Sequence, residues 1–222
     1  DNSDAFPNDT SETLDTDGDG EGNNSDEDDD NDGVLDINDA LPLDDSDSVD
    51  SDGDGVGENS DLDADGDSLI EISSLDELNE IRNNLDGTTL FGESTGCPAE
   101  GCNGFELTNT LDFDTNQDQL MNEDDAYWND GLGWTVIGDY SNRFTATFNG
   151  NGFEIRNLYI VQPDTGYVGL FGFLDGAKIM GLGLSGPLME VTGDYMVGGL
   201  AGGINDNNII KNCYNTGAIH GG

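Results

Sequence analysis

Aspartate recurs at every second position in two stretches of this chain. Asp15 to Asp26 reads D-T-D-G-D-G-E-G-N-N-S-D, and Asp50 to Asp61 reads D-S-D-G-D-G-V-G-E-N-S-D. The two lie 35 residues apart and match at nearly every position. Alternating carboxylates broken by glycine suit one kind of chemistry, the wrapping of a loop around a hard cation such as calcium. Loops of the EF type take oxygens from positions 1, 3, 5, 7 (backbone), 9 and 12, with glycine at position 6 for the sharp turn.

Four loops fit that numbering. Loop one offers Asp15, Asp17, Asp19, the backbone of Glu21, Asn23 and Asp26, with Gly20 at position 6. Loop two offers Asp28, Asp30, Asp32, the backbone of Val34, Asp36 and Asp39, with Gly33. Loop three offers Asp50, Asp52, Asp54, the backbone of Val56, Glu58 and Asp61, with Gly55. Loop four offers Asp63, Asp65, Asp67, the backbone of Leu69 and Glu71, but has Ser68 at position 6 and Ser74 at position 12. A fifth run, Asp114, Asn116, Asp118 and then Asp125, keeps the alternation without the glycine. It reads equally as a cation site or a solvated loop.

The elements that must hold these loops are unusual. Residues 1–72 carry 28 of the 49 acids and no Lys or Arg. All five bases (Arg82, Arg143, Arg156, Lys178 and Lys211) lie in residues 73–222. So polyanionic a segment, with few apolar residues, cannot offset the entropy of ordering its chain unaided. Two readings follow: a disordered acidic tail, or a segment whose folding energy comes from bound metal. The fixed register favours the second. No amphipathic helix flanks the loops, because D-A-F-P from Asp4 and D-A-L-P from Asp39 place a proline between them.

At these residues the chain resembles thrombospondin type 3 repeats, in which D-x-D-G-D-G-x-G-x-x-x-D alternates with D-x-D-x-D-G-x-x-D-x-x-D-x-x-P. The resemblance covers residues 1–72 and implies a chain of little regular structure wound round a line of calcium ions. Animal repeats carry cysteines where this chain has Ser25, Ser60, Ala5 and Ala40. Calcium alone would then hold the segment, as in bacterial versions.

Beyond residue 72 the pattern changes. Ser74 to Glu77 reads as a capping box. Leu75, Leu78, Ile81 and Leu85 recur at helical spacing before Gly87, which predicts one short capping helix over about residues 75–85. From Phe105 onward, short alternating runs separated by glycine turns predict strands. Tyr167–Gly172 echoes Met196–Gly202, and Ile179–Leu188 echoes Ile210–Ile219, a period of about 30 residues that marks stacked architectures. The phrases V-G-G-L-A-G and N-C-Y-N-T-G-A-I resemble the GLUG repeat of bacterial surface proteins. F-T-A-T-F-N-G-N-G-F-E-I-R-N-L-Y-I resembles the opening rungs of a parallel β-helix. The resemblance covers about residues 96–222 and implies a β-solenoid with Leu, Ile and Val stacked inside.

The expected fold is therefore mainly β: calcium-wrapped irregular repeats (1–72), a connector with one short helix (73–95), and a parallel β-helix or β-solenoid (96–222). Cys97 and Cys102 are expected to close a small disulfide in an exported chain, and Cys213 to stay a buried thiol. Trp128, Trp134, Tyr127 and Tyr140 could form a sugar platform, but pack more often over the open end of a solenoid. His220 reads as a surface residue.

Nucleic acid is an improbable partner for such a polyanion, and no apolar run reaches the roughly 20 residues of a membrane helix. No signal-peptide pattern opens the chain, so a mature piece or an internal fragment is expected. Asp1 and Asp4 read as the end of a further loop, so more chain is expected on both sides. Parallel β-helices can host polysaccharide lyases and hydrolases, but no base sits in an acidic cluster here, and sequence pairs no facing carboxylates. The expected role is not enzymatic. It is a calcium-dependent structural and adhesive one at a bacterial surface, with calcium as the ligand and other copies of the chain (head-to-tail) or surface glycans as candidate partners. The alternatives are a carbohydrate-binding module or a polysaccharide-active enzyme.

Overall fold

A computed structural model describes residues 4–222. Asp1 lies outside them. Residues 4–69 contain no strand and only one helical turn, a 3-10 turn at Asp36–Asn38. The 35-residue repeat of the sequence is nonetheless a repeat of structure. Ala5 N–H donates to Thr13 O at 3.0 Å, and Ala40 N–H to Ser48 O at 3.1 Å. Ser25 N–H donates to Gly22 O, and Ser60 N–H to Gly57 O.

The rest is built from short strands. In chain order these are β1 (Ile70–Ile72), β2 (Gly104–Leu107), β3 (Leu111–Asp112), β4 (Thr147–Asn149), β5 (Glu154–Arg156), β6 (Tyr159–Gln162) and β7 (Phe171–Leu174). They continue with β8 (Lys178–Met180), β9 (Gly183–Ser185), β10 (Glu190–Gly193), β11 (Ala201–Ile204), β12 (Ile209–Lys211), β13 (Tyr214–Asn215) and β14 (Ala218–His220). Four parallel sheets run up the faces of a β-solenoid of about five turns, in the orders β1-β2-β4-β8-β12, β3-β5-β9-β13, β6-β10-β14 and β7-β11. Ile179 lies between Phe148 and Ile210 in register, which is the period of about 30 residues read from the sequence.

Alternation explains which side chains face in. Ile70, Phe105, Phe148 and Ile179 form one stacked column with no exposure. A second column joins Leu111, Ile155 and Leu184, and a third Ile160 and Val191. Full burial of each such side chain contributes about 1.5–3 kcal/mol relative to exposure.

The first turn carries the helix. α1 (Leu75–Glu80) starts at the expected capping box: Ser74 accepts from Glu77 N–H, and the Glu77 carboxylate accepts from Ser74 N–H. It is shorter than the spacing predicts, because a 3-10 turn takes over at Ile81–Asn83. Leu78 and Ile81 are fully buried and join the solenoid core. The solenoid also begins earlier than residue 96, since Ile70–Ile72, read with the acidic segment, pairs in parallel with β2.

Candidate metal centres

The structure brings positions 1, 3 and 5 of all four loops together. Asp15, Asp17 and Asp19 form one triad, Asp28, Asp30 and Asp32 a second, Asp50, Asp52 and Asp54 a third, and Asp63, Asp65 and Asp67 a fourth. In each, one carboxylate oxygen per residue lies within 4.8 Å of the others. The convergence follows from local hydrogen bonding. Position 3 accepts the N–H of position 5, at 3.0–3.1 Å in every loop. Position 5 accepts the N–H of position 7 (Glu21, Val34, Val56 or Leu69) at 2.6–2.8 Å. Position 6 is left-handed throughout, with φ +99° at Gly20, +96° at Gly33, +92° at Gly55 and +74° at Ser68. Glycine adopts that region freely, and serine does so at a cost.

Each loop is closed in the same way. The N–H of position 9 (Asn23, Asp36, Glu58 or Glu71) donates to the carbonyl just before position 1, at 2.8–3.2 Å. In loops one to three the position-9 side chain also accepts the N–H of position 2. Position 12 links loop to loop: Asp26 accepts Asp28 N–H at 3.0 Å, and Asp61 accepts Asp63 N–H at 2.7 Å. Asp39 accepts Leu41 N–H at 2.7 Å, as Asp4 accepts Phe6 N–H at 2.9 Å one repeat earlier.

Loop two leaves the most carboxylate oxygens without a donor. Asp28 Oδ1, Asp30 Oδ2 and Asp39 Oδ2 are buried and accept no hydrogen bond. Asp30 is 6% exposed, and burial raises its carboxyl above the usual range. Buried oxygens of like charge, unpaired by any donor, are expensive unless a cation sits among them. Asp29, which the loop numbering passes over, is also buried with an orphaned Oδ1, and Asp36 and Asp26 lie close enough to add to its raised carboxyl. In loop four, burial pushes the fully buried Asp63 up to about 6. Burial, and then the charge of Glu106, pushes Glu71 up to about 7. Neither described ion pair, Arg143–Asp175 or Arg156–Glu154, touches these loops.

The fifth run is a partial copy. Asn116 accepts Asp118 N–H at 2.9 Å and Asp118 accepts Leu120 N–H at 2.8 Å, as in the other loops. Gln119 stands at position 6 with φ +65° and donates its N–H to Asp114. The closure differs, because Asp125 itself accepts the N–H groups of Thr115 and Asn122.

Two carboxylates outside the ligand positions also organise the segment. Glu12 is buried and accepts from Asn24 N–H at 3.1 Å and Ser25 Oγ at 2.7 Å. Asp47 is buried and accepts from Asn59 N–H at 2.5 Å. Gly22 and Gly57 make room for them, since a Cβ there would come within 2.4 and 2.5 Å of the respective carboxylates. Their shared 35-residue offset was the available signal.

Cys97 and Cys102 form a disulfide, and Cys213 is a free, half-buried thiol. The aromatic residues do not form one platform. Trp134 is fully buried, edge-on to Phe113 and Tyr127 and beneath Arg82. Trp128 stacks on Tyr159 from the side, and Tyr140 packs on Tyr167 and Phe173. His220 is exposed at the end of β14.

Among the described residues no helix is long and apolar enough to cross a membrane. No family model and no solved structure matches the chain. Two proteins of known sequence do. One, from Evansella cellulosilytica and described as a Gly-rich membrane protein, is 39% identical over 84 residues, which is 37% of this chain and 10% of that protein. The other, halomucin of Haloquadratum walsbyi, is 35% identical over 100 residues, 44% of this chain and 1% of that protein. The chain thus spans a small fraction of the length of both relatives.

Proposed function

We propose that the chain is a calcium-binding extracellular structural segment, in which ions rigidify the acidic repeats into a stalk that carries the β-solenoid. The observation behind this reading is the orphaned, buried carboxylate set of loop two, Asp28, Asp30 and Asp39, within a loop geometry repeated three more times. The donor set is all oxygen and rich in carboxylate, which suits calcium rather than zinc. Calcium would supply positive charge and fixed coordination, while the chain supplies turns already shaped by left-handed glycines. The likeness to thrombospondin type 3 repeats supports the same reading. Ser25, at a place where those repeats carry cysteine, holds Glu12 by a hydrogen bond here. The solenoid's 30-residue period and its glycine-rich phrases support the GLUG likeness. Millimolar extracellular calcium saturates even weak modules of this kind.

The role assigned is scaffolding and adhesion, with no catalysis. A carbohydrate platform is less favoured, because Trp134 lies in the core. Association of copies of the chain is a variant of this reading, in which calcium bridges acidic faces of neighbouring molecules. Such a contact would be head-to-tail.

The direct test counts calcium ions bound per chain by equilibrium dialysis, with molar mass followed in parallel. Four or more ions are expected, and a calcium-dependent rise in mass would add the polymer. Fewer than two ions would overturn the reading.

A further inference from the structure

Loop four lacks the acid that ends loops one to three. Ser74 holds its position 12, and the Ser74 side chain is engaged in capping α1. Its position 9 also behaves differently. Asn23, Asp36 and Glu58 each accept the N–H of their own position 2. Among the described residues Glu71 makes no such bond to Ala64.

Glu71 is instead set beside Glu106. The two are register partners in β1 and β2. Their neighbours Ile70, Ile72, Phe105 and Leu107 are fully buried in the core, so both glutamates stand on the outer face of the sheet. Like charges directly opposite one another destabilise a strand pair. Yet Glu106 is only 4% exposed. Its Oε2 accepts from Asn151 Nδ2 at 2.7 Å, and its Oε1 has no described donor, though it is not one of the fully buried orphaned oxygens. Loop four runs along the same stretch of chain. Asn103 N–H donates to Ser68 O at 3.0 Å, and Cys102 Sγ lies 3.9 Å from Asp63 Oδ2. No described Lys or Arg pairs with either glutamate.

We propose that Glu106, on the second turn of the solenoid, is a ligand of the loop-four cation and takes the place of the missing position-12 carboxylate. This rests on the reading of the loops as calcium sites. Asp63, Asp65, Asp67, Glu71 and the Leu69 carbonyl would supply the remaining oxygens. The ion would neutralise the Glu71–Glu106 pair and tie the last acidic loop to the first two turns. Loop four is then a joint rather than the end of a stalk.

The test compares calcium titrations of the full chain and of Glu106→Gln by calorimetry. Glutamine keeps the size, and its amide oxygen can still accept from Asn151, so the change removes charge. One site is expected to weaken by at least about 10-fold, with the others unchanged. A variant that folds and retains every site at wild-type affinity overturns the proposal. Hydrogen exchange on the wild type gives a second arm that needs no variant. The amides of Phe105–Leu107 should exchange more slowly in calcium than in chelator, and equal rates overturn the proposal. A wild-type chain that binds no calcium would fail the reading of the loops themselves. That result is distinguishable from a wild type and a variant that bind the same ions equally.

Discussion

At the scale of single residues, the account turns on carboxylates that the fold buries without partners. Asp30 is the sharpest case, with an orphaned Oδ2 and the charges of Asp32, Asp39 and Asp28 around it. A buried charge of this kind opposes folding until a cation compensates it. The substitution Asp30→Asn should therefore act with opposite signs in two conditions. In calcium it should weaken one site by at least about 10-fold, as loss of a metal-site group does. In chelator it should leave the acidic segment no less ordered than wild type, because repulsion has been removed. Calorimetry and circular dichroism in the two conditions check this, and a variant with wild-type affinity contradicts it. Most of these ligand candidates were legible in the sequence, because metal loops draw ligands from fixed offsets within a dozen residues. Glu106, Glu12 and Asp47 were not, because their roles depend on contacts the numbering of a single loop does not contain. Packing was the preferred reading of Trp134, and the structure buries it, but its exact place was not legible. Nothing in its local sequence says that it is held in the core beside Tyr127 and Phe113.

At the scale of elements, loop four and the first strands form one unit. Asp63 is raised to about 6 and Glu71 to about 7 without metal, chiefly by burial. A carboxyl raised on folding makes its contribution below its unfolded value, near 4, and loses it as pH climbs through the raised value. The calcium-free chain should thus be more stable at about pH 5 than at about pH 8. With calcium the direction reverses at this site, because the ion needs ionised ligands and protons compete with it below about pH 7. Thermal melts at the two pH values, with calcium and with chelator, test both signs. A calcium-free midpoint that rises between them contradicts the account. The helix and solenoid period were legible because capping chemistry and a 30-residue repeat are local or periodic signals. The edge between the two regions was not. Ile70-Glu-Ile72 is too short to declare itself a strand until β2 is there to pair with it.

At the scale of the whole molecule, two different sources of order meet in one chain. The solenoid is held by stacked apolar columns that run through its turns, with Phe105, Phe148 and Ile179 in one of them. The acidic segment has no such core and carries none of the five bases. Under the proposed reading its order comes from bound ions. The most direct test follows hydrodynamic radius and limited proteolysis of the full chain on transfer from calcium to chelator. The account predicts that chelation expands the chain and opens residues 4–60 to cleavage, while the solenoid from β4 onward stays resistant and calcium restores the compact form. An unchanged radius and an unchanged cleavage pattern would contradict the claim that calcium folds the stalk.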